Sequence, residues 1–186
     1  MHGSSWTVDG KKRNTGQRMI KLTIELVPEP LWGKSLKNLL PKTEWDKVRK
    51  EVYATHKHKC EVCDAKGKLI CHEVWHYNDK TCTAELRGLV ALCEMCNHVK
   101  HIGLAGILAR EGKLDFDKVI AHFKKVNECD IEMLISHHAE AASQWETRSG
   151  IDWNIQLSKR MQKIFPGFSF NTIETKEYRE EEWEKF

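Results

Sequence analysis

Apolar residues alternate with polar ones from Ile20 through Leu22, Ile24 and Leu26, with Lys21, Thr23 and Glu25 between them. A period of two is that of a half-buried strand, and Pro28 and Pro30 stop it. The period then becomes helical. Thr43 is the expected N-cap, with Asp46 three residues on, of a helix carrying Trp45, Val48, Val52 and Tyr53 on one face. Residues 68–72 predict a short strand and 88–92 its partner, followed after Cys96 by a helix with Asn97 and His101 on one face. Phe116, Val119, Ile120 and Phe123 form an apolar stripe at helical spacing, with Asp115 as its cap. Ile131, Leu134, Ile135, His138 and Trp145 form a second stripe, which ends before Gly150. Trp153, Ile155 and Leu157 alternate again, a short strand expected to pair with residues 19–27. The pattern is that of an α+β protein.

Composition narrows the class. The chain has 186 residues, 40% hydrophobic and 31% charged, ordinary for one globular domain or a small module with extensions. No apolar run is long enough for a membrane span, and the first residues lack a signal-peptide apolar stretch, so the expected location is cytoplasmic. The net charge of +3 hides an asymmetry. Residues 1–59 carry 13 Lys/Arg against 6 Asp/Glu, and residues 171–186 carry 3 against 6. A basic front half suits a polyanionic partner, and a solvated face explains it equally well. The expected organisation is a basic N-terminal segment (1–17), a strand and helix (18–57), a cysteine- and histidine-rich core (58–103), a helical part with a short strand (104–170) and a charged tail (171–186).

Seven cysteines in a chain without a secretory signal point to reduced thiols. Four of them form two C-x-x-C pairs, Cys60 with Cys63 and Cys93 with Cys96. Each pair predicts a tight turn that aims two sulfurs at one point, and four thiolates make the soft tetrahedral set that structural zinc prefers. The 29 residues between the pairs (64–92) exceed what a plain zinc ribbon needs, so something is folded between the knuckles. Cys71, Cys82 and Cys129 belong to no pair and read as small apolar residues.

That insertion holds Cys71-His72-Glu73, and the second pair runs into Asn97-His98-Val99-Lys100-His101. The stretch 58–103 resembles the HNH endonuclease family, in its zinc-stapled branch, whose core is a ββα-metal finger. The resemblance implies a small zinc-stabilised ββα-metal core with flanking helices and a short extra β-pair. It implies that His72 is the general base activating water, and that Asn97 and His101 hold a catalytic divalent ion, Mg²⁺ or another. Lys100 is placed to contact phosphate, though a solvated lysine is the plainer reading. The implied partner is nucleic acid, DNA in the first instance, with no membrane and with the oligomeric state undetermined. Cys71 stands where the family has Asp or His. A thiolate is a poor Mg²⁺ ligand, so Glu73 replaces it, or the ion is softer, or no ion is held. Asn78, the one asparagine between His72 and Asn97, comes early for the asparagine that braces the site in that family.

Cys71 also favours a different class of function, an HNH-like zinc module without turnover that binds nucleic acid or a protein. A purely structural zinc domain explains the four thiolates but not His72, Asn97 and His101 together. The remaining signals have plainer explanations. His76 and His98 read as incidental and the His137-His138 pair as structural. Trp75 and Tyr77 read as packing, and Trp32, Trp45, Trp145 and Trp153 as core positions.

Overall fold

The computed structural model describes residues 20–170. The expected N-terminal segment (1–17) and charged tail (171–186) lie outside the described residues. Strands β1 (Leu69–Asn78) and β2 (Thr83–Cys93) form an antiparallel hairpin, longer than the two short strands expected. The turn is built by Asn78, whose Oδ1 accepts from the Lys80 and Thr81 amides at 3.1 and 3.2 Å. Cys82 completes it at φ 49°, a left-handed value that a residue reversing the chain adopts. Leu69 faces Cys93 and His72 faces Val90, but Val74 faces Gly88 while Trp75 faces Leu86. Arg87 is therefore the extra residue of a bulge that bends the hairpin.

Strand β3 (Asn154–Leu157) adds to β2 in parallel, pairing with residues 83–86. The strand was expected, but against 19–27. Residues 20–27 bend at Lys21 and Leu22 and do not join the sheet; side chains and one helix-end carbonyl take up their backbone groups. Asn127 Oδ1 accepts from the Lys21 and Leu22 amides at 2.8 and 2.9 Å, and its Nδ2 donates to the Leu22 carbonyl at 2.9 Å. The Ile24 amide donates to His137 Nε2 at 2.9 Å, and the Glu25 amide to the Lys100 carbonyl at 2.8 Å. Alternation reported which residues are buried (Leu22 and Ile24), and could not report which atoms satisfy the chain.

A short helix α1 (Leu36–Leu39) precedes α2 (Lys42–Thr55). The N-cap of α2 is Pro41, so Thr43 lies within the first turn and does not cap it. Trp45, Val48, Val52 and Tyr53 are half-buried as expected. After β2 come α3 (Glu94–Lys100) and α4 (Ile102–Arg110), with a break at His101. Helix α5 (Phe116–Asn127) is capped by Asp115, which accepts from the Asp117 and Lys118 amides. Asp130 caps α6 (Ile131–Ser149) in the same way through the Met133 amide. The packed face of α6 is Leu134, His137, Ala141 and Trp145; Ile135 is 59% exposed and His138 points outward, so the expected stripe was rotated. Helix α7 (Lys159–Ile164) follows β3.

These elements enclose two cores. One gathers Leu22, Ile24, Leu92, Val99, Ile102, Val119 and Phe123 around Cys60 and Cys96. The other gathers Leu36, Ala84, Leu86, Trp153, Ile155, Leu157 and Met161. Trp75 packs on Phe170 and Tyr77 on Trp153, with ring centroids 5.5 and 5.3 Å apart, so both tryptophan 75 and tyrosine 77 are packing residues. Trp32 departs from its expected core position and is 43% exposed, with Nε1 donating to the Val27 carbonyl. Among the described residues no helix is long and apolar enough to cross a membrane.

Candidate functional site

The cysteine centre is assembled from two turns at the open end of the hairpin. The first pair sits on a knuckle closed by two backbone hydrogen bonds of 2.9 Å, Cys60 amide to Ala65 carbonyl and Asp64 amide to Cys60 carbonyl. Asp64 at φ 58° and Gly67 at φ 122° allow the chain to reverse there, the latter value being one that glycine alone adopts easily. The Glu61 amide then donates to the Ala91 carbonyl at 2.8 Å, fastening the knuckle to β2. The second pair is the N-cap and first turn of α3, where the Cys93 sulfur accepts from the Cys96 amide at 3.4 Å. All four sulfurs fall within 4.8 Å of one another, and Cys63 Sγ lies 3.6 Å from Cys93 Sγ. A tetrahedron of Zn–S bonds of about 2.3 Å requires sulfurs separated by about 3.8 Å, so the set fits a zinc ion. Hydrogen bonds from Cys93 and Cys96 pull the Cys60 pKa far down, while the same hydrogen bond to Cys60, with burial, pushes Cys93 up to about 11. Without a metal the cluster thus keeps Cys93 and Cys96 protonated around Cys60; holding all four as thiolates takes a divalent cation.

The second centre lies on one face of β1. His72 is 5% exposed and its ring centroid is 5.0 Å from that of His101, at an interplanar angle of 51°. His72 Nε2 is 3.2 Å from Glu25 Oε2. Glu25 Oε1 is in contact with the Lys100 ammonium, which also donates to Thr23 Oγ1 at 3.2 Å. Burial pushes the Glu25 carboxyl up, but the hydrogen bond from His72 and the positive charge of Lys100 outweigh it and hold the pKa at about 2. Burial lowers His101 to about 4, so its imidazole is neutral.

Several expectations change here. Lys100 is only 9% exposed and is committed to Glu25 and Thr23, so it is neither solvated nor free to meet phosphate. Glu73, adjacent to His72, projects from the opposite face of the strand. It accepts from the Leu36 amide at 2.6 Å and from Trp75 Nε1 at 3.0 Å, and does not join Asn97 and His101. Burial raises it to about 7 against the pull of those two donors. Cys71 shares that face, where burial and the Glu73 charge push its thiol up to about 12. Asn78 belongs to the hairpin turn, six residues and about 20 Å of strand from His72, and does not brace it. Asn97 lies in α3, but His101 falls at the break between α3 and α4, at φ −101° and ψ 51°, so the two do not share one helix face as expected; the His101 amide donates to the Asn97 carbonyl at 3.0 Å. Among the described residues the four cysteines are the one group of three or more acidic, His or Cys ligands close enough to hold an ion.

Glu25, Thr23, Asn127 and His137 were absent from the sequence-derived site. Glu25 occupies an outward phase of an alternating segment and its side chain is 45% exposed, as that phase predicts, but nothing in its spacing announces a partner 47 or 75 residues away. Compared with protein-family models, curated proteins and solved structures, the chain matches none significantly.

Proposed function

We propose that the chain is a metal-dependent endonuclease of the HNH type that hydrolyses phosphodiester bonds, DNA being the expected substrate. The observation that carries this reading is the approach of His72 to His101 across the β1–α3 junction, next to four cysteines suited to zinc. Hydrolysis of a phosphodiester requires an activated water and neutralisation of charge on the phosphorane and the leaving oxygen. An imidazole suits the first task at neutral pH. In this reading His72 takes the proton from a water whose oxygen bonds to phosphorus as the bond to the leaving sugar oxygen breaks. Asn97 and His101, the latter neutral, would hold a divalent ion, with water and phosphate completing its shell. Such an ion supplies positive charge beside the phosphate. Glu73 and Cys71 take no part, since they face the other core.

A second reading, a zinc module that binds nucleic acid or a protein without turnover, is favoured by the burial of His72 and by the commitment of Lys100 to Glu25. One comparison decides. The purified chain is incubated with supercoiled plasmid and Mg²⁺, Mn²⁺, Ni²⁺ or Zn²⁺, alongside His72→Ala. The nuclease reading expects nicking that falls about 10²- to 10⁴-fold in the variant, the usual contribution of a general base. Plasmid bound but never cut with any ion would overturn that reading and leave the binding module.

A further inference from the structure

The nuclease reading leaves open how an imidazole with two ring nitrogens is made to present the right one. Glu25 comes from the irregular segment outside the hairpin and is fixed at two points. Its amide donates to the Lys100 carbonyl at 2.8 Å, and its Oε1 meets the Lys100 ammonium and accepts from Thr23 Oγ1 at 3.0 Å. The other carboxylate oxygen, Oε2, is the one 3.2 Å from His72 Nε2. An ionised carboxylate can only accept hydrogen bonds. Beside it, Nε2 has to carry the proton, and in the neutral ring the lone pair is then on Nδ1.

We propose that Glu25 is the positioning residue of His72: it holds the Nε2–H tautomer and so makes Nδ1 the atom that accepts the proton from water. The chemical part of this rests on the nuclease reading; the tautomer does not. Lys100 acts through Glu25, keeping the carboxylate charged and aimed, which is why a lysine beside the candidate metal ligand His101 is turned inward. The alternative use of Glu25, as the carboxylate missing at Cys71, fits the geometry less well. Its Oε1 is already occupied by an ammonium, and it forms no group of three metal-competent ligands with His72 and His101. The carboxylate–imidazole pair that orients catalytic histidines elsewhere works by this same hydrogen bond.

The test uses the full zinc-loaded chain and the variants Glu25→Ala, Glu25→Gln and Glu25→Asp. Long-range ¹H–¹⁵N correlation of the His72 ring reads the tautomer directly, whatever the activity. The wild type is expected to show Nε2 protonated. Glu25→Ala should populate both tautomers, and so should Glu25→Gln, whose amide offers both a donor and an acceptor. Plasmid cleavage should lose about 10- to 100-fold in kcat with KM unchanged, and Glu25→Asp should recover part of it. If Glu25→Ala perturbs the fold, as zinc content and circular dichroism would reveal, Glu25→Gln decides. A wild-type His72 tautomer in the variants, or wild-type kcat, would overturn the assignment. Failure of the wild-type protein to cleave under any ion would sink the nuclease reading alone, with the tautomer still deciding what Glu25 does to His72.

Discussion

Cys60, Cys63, Cys93 and Cys96 come from two turns at one end of the hairpin, whereas Glu25, His72, Lys100 and His101 come from three segments, with partners 47 and 75 residues apart. The cysteine centre concentrates groups of one kind, which can all be thiolates only when a cation is present. The histidine centre already offsets its own charges, the Glu25 carboxylate against the Lys100 ammonium. The difference is one of cause. Local turn geometry builds the first centre and a metal would stabilise it, while tertiary packing builds the second, and it stands without one. The two should therefore respond to different perturbations.

The largest expected effect is on the cysteine centre. Cys60 is 1% exposed and sits at the middle of one core, so stripping the metal with a chelator, or Cys60→Ser, should unfold the hairpin end of the molecule. Structural zinc sites are worth on the order of 10 kcal/mol at pH 7, comparable with the whole stability of a domain. Elemental analysis should find one zinc per chain, and circular dichroism should show cooperative loss of structure on chelation. Unchanged melting after complete metal removal would mean that packing alone holds this end, and the contrast between the centres would collapse.

Next comes a change aimed at the other centre through the segment that delivers Glu25. Asn127 is 6% exposed and clamps both the amide and the carbonyl of Leu22, which is itself fully buried. Asn127→Ala leaves those two backbone groups without partners, at a cost of about 2–4 kcal/mol. Zinc content should not change, but the His72 ring resonances should, since Glu25 is only three residues from the clamp. Denaturant unfolding with metal analysis checks both halves. A loss of zinc in this variant would show that the segment supports the cysteine centre too.

How much of this could be read from the chain divides along the same line. The C-x-x-C spacings announced the thiolate centre because their geometry depends on residues three apart, and the Asp115 cap and the Phe116–Phe123 stripe were legible for the same local reason. Strand and helix periodicity found β1, β2 and the start of α3, while the hairpin's full length depended on an Asn78 turn that carries no apolar pattern. Leu22 and Ile24 were identifiable as buried. That Asn127 and His137 would serve their backbone was not, because one polar side chain on a distant helix leaves no periodic trace. The α6 stripe was misplaced by one position, since Ile135 looks apolar and His137 looks polar, whereas packing put His137 inside to meet the Ile24 amide. Cys71 and Glu73 seemed central because they flank His72 in sequence; on a strand, adjacency sends them to the other face.

Those opposite faces give a prediction of intermediate size. Glu73 titrates near 7, above its unfolded value, so in the interval from about pH 4.5 to 7 the unfolded chain has released this proton and the folded chain has not. Wild-type stability should fall through that interval and level off above it, by an amount on the order of 2 kcal/mol or less given the partial exposure of the group. Glu73→Gln should remove this slope, as urea unfolding at a series of pH values would reveal. Glu25 carries the opposite sign, since its pKa is held at about 2: its contribution is present above about pH 4.5 and is lost as pH falls toward 2. A wild-type curve that parallels Glu73→Gln would mean the carboxyl is as well hydrated folded as unfolded.

The smallest effect tests whether the cysteine centre is as self-contained as its spacing suggests. His122 reaches it from α5, with Nε2 3.2 Å from Cys96 Sγ, and burial lowers its pKa. A neutral ring beside a thiolate donates its Nε2 hydrogen, spreading charge off the sulfur as outer hydrogen bonds to metal ligands do. His122→Ala should leave the fold and the zinc stoichiometry intact while speeding zinc transfer to a chromophoric chelator about tenfold, equivalent to about 1.4 kcal/mol. His122→Gln, which keeps an N–H donor, should recover part of the difference. Identical release rates for all three proteins would show that the four sulfurs and their two turns determine zinc retention unaided, with α5 merely covering them.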